Sequence, residues 1–478
     1  MESLQRTHNR GSISTGYDVD NSVKFDKGND STTVEFFERN VSTTTNRYTA
    51  TFSAWIKKTD ISTAQYLFTF GNVDNDNGRT FARFQADQTL RIMGGNTTWL
   101  NTVRVFRDTS AWYHIVVAFD NTSGTADERV RLYVNGVEET AFSTRNNPSQ
   151  NTIFGLNFGK QAIGYNTVDN NSGFNGYMCE VLIQDGIQSA PTVFGEFNDD
   201  GIWVPIDLAD VSVGTNGSYL KFENAASMGA ATTGVGYTVQ NINQHDQTTD
   251  TCTNNFCMLN LNQQVQSRFT FSQGNTTVNL TGDHNYRTIA GSMGFQHGKW
   301  YAEFKMGTGR VQTIVGMTQL DDTRSWQDTY IGGVSNSTAY GMGHSYDGYF
   351  YRNGGSGAIG VSWTAGDIVG IAIRINDDGT GFMGMSKNGT WMNSQNPSAG
   401  TTGMLGLAYG NALPSHLHHS FAVTLRHDDG PVYANFGGFP GFTISSGNTD
   451  ANGYGNFEYE VPTGYYALCS KNLGELGG

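Results

Sequence analysis

Short segments in which apolar and polar residues alternate recur about every ten residues along most of this 478-residue chain. Clear examples are Tyr48–Ile56, Trp112–Phe119 and Ile368–Ile375. Successive side chains of a β-strand point to opposite faces, so this alternation indicates strands with one face in a core. The 3.6-residue period of an amphipathic helix is missing, apart from a short stretch at Thr192–Glu196. The sequence therefore predicts an all-β chain.

Turn signals separate these segments. Asn135-Gly136 and Asn388-Gly389 are dipeptides favoured in two-residue hairpins, whose central residues need positive φ. Glycine is abundant, with 60 residues, and aromatic residues reach 12%, a fraction that a disordered chain would lack. The chain is too long for one ordinary core, so we predict two tandem β-sandwiches of the jelly-roll type.

Changes in composition suggest where the domains begin and end. We predict an N-terminal attachment tail at 1–17, a first sandwich at 18–208, a linker at 209–261 and a second sandwich with a C-terminal tail at 262–478. The linker contains the small and polar stretches NAASMGAATTGVGY and QNINQHDQTTDTCTNN. Within it, Tyr219–Phe222 is a candidate strand that packs on the first domain.

The charge and the first residues exclude several classes of partner. The formal net charge is −14, and Lys and Arg are not clustered, which argues against binding to nucleic acid or an anionic membrane. No apolar run approaches the length of a membrane span, so we expect no membrane insertion. The start, MESLQRTHNRGS, lacks the hydrophobic region of a signal peptide.

The four cysteines fall into two groups. Cys179 and Cys469 lie inside apolar strand patterns and are expected in the core. Cys252 and Cys257 lack a second Cys or His pair at zinc spacing, so a zinc site is not supported. A disulfide between them is geometrically possible, but two free thiols in a reducing cytoplasm is the preferred interpretation.

The first block resembles the laminin-G-like, concanavalin-A-type jelly roll. The residues that carry this resemblance are, in order, SVKFDKGNDSTTVEF, YTATFSAWIKK, SAWYHIVVAFD, RVRLYVNGVEET and FNGYMCEVLIQDG. The second block resembles the SPRY domain, another two-sheet sandwich. Its motifs are GKWYAEFKM, IVGM, GHSYDGYFYRNG, GDIVGIAIRIND, GFMGMSKNGTW and VYANFGG.

The tandem order is similar to that of virion-associated, tail-fibre-like proteins of marine tailed phages, together with the segments TDTCTNNFCMLN and PTGYYALCSKNL. This resemblance implies a virion protein, made in the host cytoplasm, that attaches to other virion proteins through its N-terminal region. It implies contact with a host-surface glycan or protein, and by analogy a homotrimer. The alternatives are a capsid decoration or adaptor protein without a ligand, and a glycan hydrolase on a lectin fold.

Catalysis is not expected from these residues. Glycosidases use two carboxylates that flank the bond, and in retaining enzymes on this fold they come from an E-x-D-x-x-E strand. That motif is absent, and Glu180 and Asp185 lie five residues apart at the closing strand and its turn. We therefore predict that the protein is not an enzyme.

Two groups of residues are candidate metal ligands. Asp74 and Asp76, in the stretch NVDNDNG, offer oxygen ligands for calcium, which many laminin-G-like domains bind, but the stretch lacks the glutamate of a complete loop. A solvated turn is the alternative. On a strand, His416 and His418 would share a face and in a trimer bind a metal on the axis, although an exposed or interface loop is preferred. We expect no cofactor beyond a possible calcium ion.

The SPRY resemblance implies a ligand surface at loops on one end of the second sandwich. Aromatic rings beside Asp side chains suit sugars, because sugar CH groups stack on rings while hydroxyls need polar partners. Alternate aromatic residues are equally what a strand core needs. The residues that match this surface are Asp321, Asp322, Trp326, Tyr346, Tyr349 and Tyr351.

Overall fold

The chain divides into two units, Met1–Asn254 and Asn255–Gly478. The structure is a computed structural model. It describes residues 16–28, 32–71, 78–153, 155, 157–166, 173–261, 268–282, 285–308, 312–320, 330–333, 342–352, 354–400, 405–406, 417–426 and 430–476.

Strands dominate the first unit. They are β1 (Ser22–Phe25), β2 (Phe36–Val41), β3 (Thr49–Lys58), β4 (Gln65–Gly71), β5 (Arg79–Phe84), β6 (Thr89–Gly94), β7 (Thr97–Val105), β8 (Trp112–Asp120), β9 (Val130–Val134), β10 (Val137–Glu138), β11 (Phe142–Arg145), β12 (Gly159–Ile163), β13 (Gly176–Asp185), β14 (Gly195–Phe197), β15 (Trp203–Pro205), β16 (Ser218–Leu220), β17 (Thr233–Gly234), β18 (Thr238–Gln240) and β19 (Gln247–Thr248). Short 3-10 turns lie at Ala126–Glu128, Pro191–Val193, Ala225–Ser227 and Gln244–Asp246.

Among the described residues these strands form two large sheets. The nine-stranded sheet has the order β10-β9-β8-β3-β13-β1-β19, with β16 paired to β13 and β17 to β16. The eight-stranded sheet has the order β11-β7-β6-β5-β4-β12-β2-β18. Strands β14 and β15 pair with each other.

The first core lies between these two sheets. Phe52 and Ile56 of β3 face it from one sheet, and Phe68, Ala82 and Ile92 face it from the other. On β3, alternate residues point away from the core, as the sequence pattern predicts for a two-sheet sandwich.

Residues 209–254, which the sequence analysis assigned to a linker, belong to the first unit. Strands β16 and β19 extend the nine-stranded sheet, and β18 extends the eight-stranded sheet. Together with residues 191–208 they place Phe194, Leu208 and Val213 over the outer face of the nine-stranded sheet, against Val116 and Leu182. The strands here have only two or three residues, too short to produce an alternating pattern.

Charged and polar groups hold this covering segment to the sheet. Lys57 of β3 and Asp250 form an ion pair in which both side chains are almost fully buried. The Trp203 indole N–H donates to Nδ1 of His114 at 2.9 Å, and burial lowers the pKa of His114 to about 3, so the imidazole is neutral. The remaining ring nitrogen, Nε2, lies 2.9 Å from the Ser53 hydroxyl.

The end of the predicted N-terminal tail, 1–17, is part of the first unit rather than a free tail. Residues 1–15 lie outside the described residues, but Tyr17 already contacts the first unit. Its hydroxyl donates to Glu180 at 3.2 Å.

The second unit is built from β20 (Phe269–Ser272), β21 (Thr277–Leu280), β22 (Arg287–Ala290), β23 (Gly298–Met306), β24 (Ile314–Gln319), β25 (Met342–Ser345), β26 (Tyr349–Arg352), β27 (Gly355–Ala358), β28 (Ile368–Ile375), β29 (Gly381–Lys387), β30 (Thr390–Trp391), β31 (Leu405–Gly406), β32 (His419–Leu425), β33 (Val432–Asn435), β34 (Tyr466–Ala467) and the helix α1 (Ser470–Leu476). A 3-10 turn lies at Met392–Ser394.

Two sheets again enclose a core within the described residues. One has the order β20-β21-β33-β23-β28-β29-β30, with β31 paired to β29 and β34 parallel to β23. The other has the order β22-β32-β24-β25-β26-β27. Trp300, Ile371 and Met383 face the core from the first sheet, and Val315 and Val423 face it from the second. The prediction of an all-β chain with two tandem sandwiches is confirmed.

The C-terminal segment covers the outer face of the nine-stranded sheet of the second unit. Phe457 and Tyr465 pack on Tyr301 of β23. Beside them, the buried carboxylate of Glu303 accepts the backbone N–H groups of Glu458 and Tyr459, each at 2.9 Å. The Tyr301 hydroxyl, at 3.1 Å, and the Asn435 amide, at 3.2 Å, donate to the same carboxylate. Burial raises the pKa of Glu303 to about 7.

Both predicted hairpins are confirmed. Asn135 and Gly136 have φ of 49° and 78°, and they connect β9 to β10. Asn388 and Gly389 have φ of 48° and 78°, and they connect β29 to β30.

All four cysteines are free. Cys179 and Cys469 are buried, as predicted. The Cys252 thiol lies beside that of Cys179 and is hydrogen-bonded to it. Cys257 is buried next to Ser292 in the second unit, with its sulfur 4.0 Å from the hydroxyl. The disulfide that the sequence left open is therefore not present.

Candidate functional site

Three tyrosines and one arginine form a group on the outer face of the six-stranded sheet of the second unit, which we call the tyrosine cluster. Its members are Tyr286, Tyr330, Tyr351 and Arg426. The ring centroids of Tyr286 and Tyr330 are 4.8 Å apart, and those of Tyr330 and Tyr351 are 5.0 Å apart in an edge-to-face arrangement. The Arg426 guanidinium lies 4.6 Å from the centroid of the Tyr286 ring and donates to its hydroxyl at 3.2 Å.

Strand alternation and one glycine place the Tyr351 ring. Tyr351 lies on β26 directly opposite Gly343 of β25. A Cβ at Gly343 would lie 2.6 Å from Ile314 and 2.9 Å from Ile331, so only glycine lets these apolar side chains pack there. Ile314 and Ile331 form a small apolar floor on the side of the sheet that faces away from the core, and the tyrosines pack against it. All three rings are half-buried, so each keeps part of its surface towards solvent.

The Tyr351 hydroxyl of this cluster is neutral. Burial raises the pKa of Tyr351, and the nearby charge of Asp347 raises it further. A neutral phenol both donates and accepts hydrogen bonds. The cluster therefore offers ring faces, hydroxyls and one guanidinium within a short distance.

The residues predicted from the SPRY resemblance do not all lie on one surface of the structure. Tyr349 shares the outer face of β26 with Tyr351 and is 45% exposed. Tyr346 instead packs against the core, and its hydroxyl accepts a hydrogen bond from Gln312 at 3.4 Å. Asp321, Asp322 and Trp326 lie outside the described residues.

Tyr286, Tyr330 and Arg426 were missed by the sequence analysis. Tyr286 precedes β22 and Arg426 follows β32, two strands that are neighbours in space but more than a hundred residues apart in the chain. No local pattern could have linked them. The aromatic alternation of β26 was the signal that could be found.

The two carboxylates considered for catalysis both accept hydrogen bonds from other residues of the chain. Glu180 lies at a bulge in β13 with φ of 50°, and its carboxylate accepts the hydroxyls of Tyr17 and Tyr219. Burial raises the pKa of Glu180 to about 7. Asp185 accepts the Thr45 hydroxyl at 2.6 Å and the Asn216 N–H at 2.8 Å. These contacts hold the covering segment and neighbouring loops in place.

Of the predicted metal ligands, Asp74, Asp76 and His416 lie outside the described residues. His418 precedes β32, and its carbonyl accepts the Leu320 N–H at 2.7 Å. The part of the chain that the structure describes contains no group of three or more His, Cys, Asp or Glu residues placed to hold a metal ion. None of its helices has the length and apolar character needed to span a bilayer.

The sequence of the first sandwich matches a known family. Residues 26–194 match Laminin_G_3, of the concanavalin A-like lectin/glucanases superfamily. The first unit thus has the sandwich fold of concanavalin A-like lectins and glucanases, as predicted. The match covers about a third of the chain and describes that unit alone. No curated protein sequence matches the chain.

Solved structures similar to parts of the chain include a SAP-like pentraxin from Limulus polyphemus, with 17% identity and a TM-score of 0.29, covering 36% of this chain and 80% of that one. A human SPRY domain has 16% identity and a TM-score of 0.26, covering 35% of this chain and 94% of that one. A candidate carbohydrate-binding protein from Bacteroides ovatus has 16% identity and a TM-score of 0.32, covering 47% of this chain and 58% of that one.

Proposed function

We propose that the protein is a structural appendage of a phage virion that binds a host-surface glycan through the tyrosine cluster. The observation that carries the glycan part is the cluster itself: three half-exposed rings, 4.8 and 5.0 Å apart, beside a guanidinium. Sugar CH groups stack on such rings, while hydroxyls of the sugar pair with phenol and guanidinium groups. The lectin-type sandwich of the first unit supports the same class of ligand.

The virion part of the proposal is supported by the resemblance of the tandem arrangement to tail-fibre-like phage proteins. In this proposal the N-terminal region attaches to other virion proteins, the protein is a homo-oligomer, by analogy a trimer, and the two sandwiches meet the host surface. It acts by binding, without catalysis, membrane insertion or contact with nucleic acid. A position on the tail, the capsid or a unique vertex would each suit this role.

Glycan-array binding with the purified full chain tests the ligand. Tyr351→Ala should weaken binding roughly tenfold, because loss of a stacking ring removes about 1.5 kcal/mol. Tyr351→Phe should retain most of the binding, since it keeps the ring. Phe197→Ala removes a 53% exposed ring from the first unit and serves as the control.

Two outcomes would reject the glycan proposal. One is the absence of binding to any bacterial surface glycan by the wild-type protein. The other is equal binding by the wild type and Tyr351→Ala, with thermal unfolding confirming that both are folded. Density for the protein in an intact phage particle tests the virion role separately. Release of cleaved sugar from the bound polysaccharide would favour a hydrolase instead.

A further inference from the structure

We propose that the outer face of the eight-stranded sheet in the first unit is a second binding site, for a saccharide that carries a carboxylate or sulfate group. Arg83 and Arg91 would hold that anionic group. The proposal deepens the glycan-binding function by naming a class of sugar, but it uses a different surface. It can therefore fail while the tyrosine cluster stands, and the reverse is also true.

The strand register brings two arginines together. Arg83 of β5 lies directly opposite Arg91 of β6. Tyr66 of β4 is opposite Arg83, and Asn101 of β7 is opposite Arg91. Opposite residues of antiparallel strands share a face, so these four side chains form one row across four strands. Ala82, the neighbour of Arg83 in β5, faces the core, which places the row on the outer face.

Neutral partners orient both guanidinium groups. Arg83 donates to the Tyr66 hydroxyl at 2.7 Å, and Arg91 donates to the Asn101 side-chain oxygen at 3.1 Å. Asn101 is fixed in turn because its amide donates to Ser143 at 2.7 Å. The Arg83 guanidinium also lies 5.8 Å from the centroid of the buried Phe81 ring. The two cations are thus supported from the sides and from below, and both arginines are half-exposed.

Within the described residues, neither Arg83 nor Arg91 forms an ion pair with a carboxylate. Arg104 and Arg145, in contrast, pair with Glu139 and Asp127. Asp87 is near enough for Arg91 to contribute to lowering its pKa, but Asp87 accepts its hydrogen bonds from Thr89. The chain has 43 acidic and 29 basic residues, so a shortage of carboxylates does not explain the unneutralised pair.

Two like charges directly opposite each other destabilise a sheet, so their presence calls for a compensating role. The Arg83 Nε–H is buried and has no hydrogen-bond acceptor among the described residues. A guanidinium binds planar oxyanions through two parallel N–H groups, and two adjacent guanidiniums offer this twice. The hydroxyl and amide groups at either end of the row, on Tyr66, Asn101 and Ser143, suit the hydroxyls of a sugar ring.

A nucleic acid fits this surface poorly. Binding to a phosphate backbone depends on many Lys and Arg contacts, whereas the row holds two arginines on a chain of net charge −14. Short contacts at a partly buried site are less affected by salt than long-range attraction is. We therefore expect recognition of a local anionic group within a sugar chain.

Binding of the full chain to polygalacturonate, dextran sulfate and neutral dextran, measured by affinity electrophoresis, tests the proposal. The wild type should bind at least one of the two anionic polymers more tightly than neutral dextran. The polymer that binds identifies the anionic group as a carboxylate or a sulfate. The double variant Arg83→Gln/Arg91→Gln should lose roughly tenfold or more in affinity, because charge-assisted hydrogen bonds are lost.

Two variants separate this site from general charge effects and from the tyrosine cluster. Arg145→Gln removes an arginine of the same sheet whose charge is paired with Asp127, and it should bind as the wild type does. Tyr351→Ala should also keep its affinity for the anionic polymer. The double variant should remain folded, since it removes a repulsion, and thermal unfolding will show this.

Three results would overturn the proposal. The first is no binding to either anionic polymer by the wild type. The second is equal affinity of the double variant and the wild type. The third is equally tight binding of poly-glutamate or single-stranded DNA, which would show attraction to polyanions in general rather than to an anionic sugar.

Discussion

The two sandwiches cover one of their outer faces in the same way but with different chemistry. In the first unit, Phe194, Leu208 and Val213 lie over the nine-stranded sheet, and buried ionisable groups, including the Lys57–Asp250 pair and Glu180, hold the segment that follows β13. In the second unit, the C-terminal segment lies over the other nine-stranded sheet and is held largely by backbone N–H groups that donate to Glu303. The first unit therefore uses a buried ion pair for this purpose, whereas the second uses hydrogen bonds to one carboxyl group.

The outer faces of the other two sheets, one in each unit, also differ in the side chains that they present. The eight-stranded sheet of the first unit presents two adjacent arginines, and the six-stranded sheet of the second presents tyrosines. One surface suits an anionic group and the other suits the CH face of a sugar.

The largest effect is expected from breaking the buried pair of the first unit. Asp250→Ala should lower the free energy of unfolding of the first unit by about 3–5 kcal/mol, because it removes the carboxylate that Lys57 contacts in a buried site. Differential scanning calorimetry of the full chain measures this, with the transition of the second unit as an internal reference. As a control, Asp127→Ala breaks the more exposed pair with Arg145 and should cost less than about 1 kcal/mol. Equal effects of the two substitutions would show that the cover does not depend on the buried pair.

A somewhat smaller effect is expected from removing the carboxylate that holds the C-terminal segment of the second unit. Glu303→Ala should lower the free energy of unfolding of the second unit by about 2–4 kcal/mol, since the N–H groups of Glu458 and Tyr459 lose their acceptor. Glu303→Gln should cost less, because its amide oxygen can still accept. Urea denaturation of the full chain will give both values. A shift in the first unit instead of the second would contradict this account.

A third effect concerns pH. Burial raises the pKa of Glu180 to about 7, so the folded chain binds this proton more tightly than the unfolded chain does. Its contribution to stability is complete below the ordinary pKa of a glutamate, near 4.5, and is lost as pH rises through about 7. The difference in melting temperature between the wild type and Glu180→Gln should therefore fall over this range. A difference that stays constant with pH would mean that Glu180 does not titrate there.

Much of the fold could be predicted, because a long strand shows the alternation of apolar and polar residues within its own sequence. The predicted strands Tyr48–Ile56 and Trp112–Phe119 correspond to β3 and β8, within two residues at each end. The cover of the first unit could not be predicted. Its strands are stabilised by the sheet they join, and the residues that fix them, such as Trp203 and Asp250, have their partners far away in the chain.

The residues of the candidate sites also divide into those that a local sequence pattern reveals and those that it does not. The alternation of Tyr349 and Tyr351 was visible in the sequence because both belong to one strand. The row of Arg83 with Arg91 depends on which residues of different strands stand opposite each other, and Tyr286 and Tyr330 meet from segments outside the strands. That register is set by packing across the whole sheet, which a single sequence does not display.

The ends of each unit pair with each other, and this has a consequence for synthesis. Ser22 of β1 pairs with Thr248 of β19, and Phe256 forms a bridge with Cys469. Neither unit can complete its hydrogen bonding until nearly all of its residues have left the ribosome, and contacts so distant in the chain form slowly. All residues of the first unit leave the ribosome before the second unit is complete, so the first can begin to close during translation. A chain that folds in this order exposes the apolar surface of one unfinished sandwich at a time.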